Sequence, residues 1–60
     1  MIDPKELTDT ELVESILEIE SGLSDWEINK AEEWIKKLEA GGILDRWQRG
    51  KAEEIFKEKA

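Results

Sequence analysis

The stretch LSDWEI, residues 23–28, repeats almost letter for letter the earlier LTDTEL, residues 7–12. Each reads as the start of a helix. Thr8 or Ser24 stands at the N-cap, and Glu11 or Glu27 stands three residues later, where its carboxylate reaches back to the cap's own N–H. The flanking pairs Leu7 with Leu12, and Leu23 with Ile28, hold the positions that clasp across a first turn as a hydrophobic staple. A third copy begins at Leu44, with Asp45 as cap and Gln48 closing the box, but Arg49 occupies the staple position and the clasp is lost. The repeat therefore punctuates three helices, and it names no reaction.

From the first of these starts, a helix is expected over about residues 9–20. Leu12, Val13, Ile16, Leu17 and Ile19 recur there at the three- and four-residue spacing of one buried stripe. Ser21-Gly22 ends it, with Gly22 suited to a left-handed turn. The second, about 25–40, puts Ile28, Ala31, Ile35 and Leu38 on one face with Trp34 beside them. Lys36 and Lys37 sit near its C-terminus, where cations suit the dipole, and Gly41-Gly42 stops it. The third, about 46–58, offers Trp47, Ala52, Ile55 and Phe56. Ahead of all three, Asp3-Pro4 suits a short preliminary turn. Three amphipathic helices with tight connections must cover one another, which predicts an all-α, compact three-helix bundle filling residues 1–60 as one domain.

Composition narrows the chemistry. The 60 residues contain no cysteine and no histidine, which excludes disulfides, thiolate catalysis, ordinary zinc sites and imidazole acid–base work. A non-enzymatic protein without cofactor or metal is expected. No apolar run approaches the roughly 20 residues needed to span a bilayer, and MIDPKEL lacks the features of a signal peptide. The chain is therefore read as soluble and cytoplasmic, in a bacterium or an infected host cell.

The net charge of −7 is unevenly spread: residues 1–30 hold nine Asp and Glu against Lys5 and Lys30, whereas residues 31–60 hold seven of each sign. An acidic first half repels nucleic acid at long range and favours basic protein surfaces. Glu11, Glu14 and Glu18 share one side of the first helix and form its candidate acidic face. Adjacent carboxylates such as Asp25 with Glu27 or Glu32 with Glu33 do not converge on a helix, so no acid–base pair is assigned.

The third helix breaks a local rule. Arg46 and Arg49 occupy its first turn, at the positive end of the dipole, and Gly50 costs about 1 kcal/mol relative to alanine. Such violations mark places where function is expected. Arg46, Trp47, Arg49 and Lys51 are thus the candidate interaction site, cations around an aromatic, suited to phosphate, single strands or an acidic partner. The competing reading is that the arginines pair with the acidic first helix and glue the bundle. Trp26 and Trp47 each have a lysine four residues on, Lys30 and Lys51, placed to lie over the ring. In so small a core both indoles are expected to close the bundle's ends; an exposed stacking surface is the alternative.

The span Leu23–Phe56 resembles a short helical module of bacteriophage and prophage proteins found beside replication or recombination enzymes. The matching residues are Leu23, Ser24, Trp26 and Glu27, then Leu38, Glu39 and Gly41, then Leu44, Gln48, Glu53, Ile55 and Phe56. Lys30, Asp45 and Ala52 depart from the pattern. The resemblance implies an accessory role in nucleic-acid metabolism; the acidic face of the first helix adds the expectation of a monomeric module that docks on a protein partner, such as a basic surface otherwise used for DNA. A weaker likeness links GLSDWEINKA, residues 22–31, to the turn and recognition helix of helix-turn-helix proteins. That likeness implies a nucleic-acid binder, against which Asp25, Glu27, Glu32 and Glu33 would face phosphates. A designed or purely structural bundle is the third alternative, disfavoured by Gly50 and the first-turn arginines.

Overall fold

Proline at a first helical position and an aspartate before it open the chain in a 3₁₀ turn, Pro4–Glu6, with the Asp3 carboxylate accepting from the Lys5 N–H at 3.0 Å. The structure, a computed structural model, describes residues 3–19 and 22–59. Three α-helices follow: α1, Asp9–Leu17; α2, Asp25–Glu39; and α3, Arg46–Lys59. The all-α three-helix architecture expected from the sequence is the one observed.

All three capping boxes form. The Thr8 hydroxyl accepts from Glu11 N–H at 3.1 Å and the Glu11 carboxylate accepts from Thr8 N–H at 3.0 Å. Ser24 and Glu27 repeat the exchange at 3.2 and 2.8 Å, and Asp45 and Gln48 at 2.7 and 3.1 Å. The Gln48 side-chain oxygen also accepts from Lys37 Nζ at 2.9 Å, tying the end of α2 to the start of α3.

The boxes leave a pH signature. The Glu11 carboxyl is held below the usual range chiefly by the Thr8 backbone N–H, and Glu27 likewise by that of Ser24, with the charges of Lys59 and Lys51 adding less. A carboxyl that ionises more readily folded than unfolded stabilises the fold fully above its ordinary value of about 4.3, and loses that contribution as pH falls through the lower folded value. Glu11→Gln/Glu27→Gln keeps an acceptor in each box without the titrating group. Its urea midpoint is expected to fall less than that of the wild type between about pH 5 and pH 3. Parallel declines in the two proteins would show that the caps do not carry the acid sensitivity.

Helix ends are less regular. α1 stops at Leu17 with Glu18 as C-cap, short of the expected residue 20; Glu20 and Ser21 lie outside the described residues. The reason is local: the Ile19 N–H turns back to the Ile16 carbonyl, three residues away, which tightens the last turn and leaves the α path. Gly22, at φ +91°, therefore serves the loop into α2 rather than the end of α1. At the end of α2, Gly42 N–H bonds Lys37 C=O and Gly41 N–H bonds Leu38 C=O, with Gly41 at φ +91°. That is a Schellman motif, and it uses glycine where left-handed backbone is required.

The core is built from Leu12, Val13 and Ile16 of α1, Ala31 and Trp34 of α2, Leu44, and Ala52 and Ile55 of α3, with Leu7, Leu23, Ile35, Leu38 and Phe56 packed half-buried around it. α1 lies against both other helices. α2 and α3 run antiparallel, since Lys37 near the end of α2 meets Gln48 at the start of α3 while Lys51 reaches Trp26 at the start of α2. Two expected stripes are rotated. In α2 the centre of burial is Ala31 and Trp34, and Ile28 stays 38% exposed, so the second staple is not a buried clasp. In α3, Trp47 lies about 140° round the helix from Ala52 at about 100° per residue, outside the core-facing arc. The radius of gyration, 10.4 Å, matches the roughly 10 Å expected of a compact chain of this length. Among the described residues no helix is long and apolar enough to cross a membrane.

Candidate functional site

The four residues singled out on α3 do not form one site. Arg49 points inward. Its Nε donates to Glu53 at 2.8 Å, Nη1 to Asp9 Oδ1 at 2.7 Å, and Nη2 to the carbonyls of Pro4 at 2.9 Å and Leu7 at 2.7 Å. Four bonds from one guanidinium join α3, the start of α1 and the 3₁₀ turn. The other Asp9 oxygen accepts from the Leu44 N–H at 3.1 Å, so the carboxylate also anchors the loop entering α3. The hydrogen bond to Glu53, supported by the one to Asp9 and by both charges, raises the Arg49 pKa above its already high ordinary value.

The reading in which the arginines glue the bundle to the acidic first helix thus holds for Arg49. Its unfavourable place at the helix start is offset by Glu53, four residues on along the same helix, and by Asp9 and two carbonyls that lie far away in the sequence. Arg46, by contrast, is exposed and makes no ion pair among the described residues. Gly50 has open space around it, with nothing within 4 Å of the position a Cβ would take, and nothing nearby requires glycine.

The tryptophans divide differently from the expectation that both close the ends of the bundle. Trp34 is 1% exposed and central, whereas Trp26 and Trp47 are 44% and 60% exposed. Lys30 stands over Trp26 as its spacing implies, with Nζ 5.9 Å from the ring centroid. Lys51 does not cover Trp47; it crosses from α3 to α2 and places its Nζ 5.6 Å from the Trp26 centroid. Gln48, one turn earlier on the same flank of α3, also reaches α2 at Lys37, so this flank faces α2 and the long Lys51 side chain spans the gap. Trp47 is left open, and Ile43 in the loop before it is 73% exposed. Nothing in the local spacing marks Ile43 as a surface residue, since it stands next to buried Leu44 at the entrance to a helix.

Glu11, Glu14 and Glu18 are all exposed, and among the described residues none has an ion-pair partner. α1 carries no basic residue. Glu11 is nevertheless committed to its cap, so the freely available part of the acidic face is Glu14 and Glu18, one turn apart. Among the described residues there is no pocket and no group of three metal-ligating side chains.

What the arrangement offers chemically is surface: an acidic α1 face, and an aromatic and cationic flank along α2 and α3. Compared with protein-family models, with curated proteins and with solved structures, the chain finds no match among any of the three.

Proposed function

We propose that this chain is a non-enzymatic helical interaction module that docks on a basic protein surface through the acidic face of α1. The observation that carries the reading is the pair of exposed carboxylates Glu14 and Glu18, with Glu11 beside them in its cap, on a helix that itself carries no basic residue. Uncompensated like charge on one face repels itself, and it steers encounter with an oppositely charged partner. The resemblance of Leu23–Phe56 to phage and prophage modules supports a setting beside nucleic-acid enzymes in the cytoplasm of a bacterium or infected cell. There the partner's basic surface is one that DNA otherwise occupies. Direct nucleic-acid binding is the second reading. It draws on exposed Arg46 and Trp47, but it loses Arg49 to the fold and sets Asp25, Glu32 and Glu33 along the would-be recognition helix.

Because Glu11 caps α1, the test reverses only Glu14 and Glu18. Glu14→Lys/Glu18→Lys relieves a like-charge pair and places a cation at the C-terminal end of the helix, so folding is expected to be maintained or slightly improved. Basic, DNA-binding proteins retained from a bacterial extract by the immobilised wild type are expected to be lost by this variant. Single- and double-stranded oligonucleotides at physiological salt should leave the backbone and indole NMR signals in place. Equal retention by both proteins refutes the reading, and salt-sensitive shifts at Arg46 and Trp47 on adding oligonucleotide favour the second one.

A further inference from the structure

A second surface lies along the seam between α2 and α3. Trp47 and Lys51 are one turn apart on α3, and Trp26 and Lys30 one turn apart on α2. The Lys51 ammonium bridges the two pairs by standing 5.6 Å from the Trp26 ring centroid. Ile43, in the loop that joins α2 to α3 at the end where Lys37 meets Gln48, is 73% exposed. In a protein of charge −7 this strip is lined by lysines and by the most exposed large apolar side chains of the described chain. Of its carboxylate neighbours, Glu27 is held in its capping box near Lys51, whereas Lys30–Glu33 at 3.4 Å and Lys51–Glu54 at 3.8 Å are exposed pairs of the kind worth about 0–1 kcal/mol, which a partner's carboxylate replaces at little cost.

We infer that the Ile43–Trp47–Lys51–Trp26–Lys30 strip docks an acidic amphipathic helix, its apolar side chains on Ile43 and Trp47 and its flanking carboxylates on Lys51 and Lys30. Charge and apolarity together select this occupant. A single nucleic-acid strand is a poorer fit: two ammonium groups already stand over the Trp26 ring where a base would stack, and Ile43 offers no π-face. A second copy fits no better, because a symmetric contact would set Lys30 and Lys51 against their own kind, while α1 of another copy has its apolar side turned into the core.

The test is an NMR titration of the ¹⁵N-labelled protein with two synthetic helical peptides that share one Leu/Phe stripe, one flanked by glutamates and the other by lysines. Oligodeoxythymidine is the third probe. The glutamate peptide is expected to move the Trp26 and Trp47 indole signals and the amides of residues 43–51, and the lysine peptide to perturb α1 alone. Trp47→Ala and Lys51→Ala are each expected to weaken the glutamate peptide about tenfold, with an unchanged circular-dichroism spectrum. Glu14→Lys/Glu18→Lys should bind it as the wild type does, which separates this surface from the α1 face. Silence toward the glutamate peptide, equal shifts with both peptides, strip shifts with oligodeoxythymidine, or strip shifts that follow protein concentration alone would each overturn the inference.

Discussion

Trp34→Ala is expected to abolish cooperative folding. The indole is 1% exposed and stands amid Leu12, Val13, Ile16, Ala31, Leu44, Ala52 and Ile55. Truncating a buried tryptophan costs about 3–5 kcal/mol, since the lost contacts and the cavity both count. A single core in a chain of this size supplies about the same total, roughly 3–5 kcal/mol, so the substitution consumes the whole margin. Far-UV circular dichroism through a thermal ramp would show a shallow, featureless decline in place of a sigmoid. Trp34→Phe, which keeps most of the volume, should restore a cooperative transition at a lower midpoint. A sharp melt of Trp34→Ala within a few degrees of the wild type would mean that the core closes over the gap, and that α2 is not held by this ring.

Arg49→Ala is the second large effect, and it arises from polar groups. Removing the guanidinium takes one donor at once from each of two carboxylates and two backbone carbonyls, of which Asp9 keeps the Leu44 N–H and Pro4 the Leu7 N–H. The side chains are only partly shielded, with 22% of Arg49, 27% of Asp9 and 20% of Glu53 exposed, so the cost is below that of a fully buried pair, about 2–3 kcal/mol. In a domain of this size that corresponds to a fall in Tm of roughly 10–20 °C. Arg49→Lys should recover less than half of it, because one ammonium has neither the reach nor the fork geometry to serve four acceptors. A double-mutant cycle with Asp9→Ala should show coupling above about 0.5 kcal/mol. Additive losses would reduce the Asp9 contact to an incidental one.

These two residues also mark what is legible in the sequence. Helix starts are legible because a capping box is closed within four residues, and Thr8, Glu11, Ser24, Glu27, Asp45 and Gln48 all make the bonds their spacing implies. The three-helix bundle follows from those starts and from the apolar spacing between them. Arg49 is legible only as an anomaly: a cation at the wrong end of a helix is visible locally, but Asp9 and the carbonyls of Pro4 and Leu7 lie 40 or more residues away. The position of Lys51 over Trp26 instead of Trp47 depends on how α2 and α3 are paired, and no periodicity within one helix encodes that. The end of α1 escapes for a third reason, because the apolar spacing runs on through Ile19 after the backbone has already left the helix.

The self-contained boxes carry a consequence for how such a chain varies. Their bonds are exposed and involve only residues three apart, so the boundaries of α1 and α2 are decided without reference to the outward-facing positions between them. Those positions are free to be rewritten. A lineage of such chains is able to change its outer faces alone, while the frame that presents them is inherited intact.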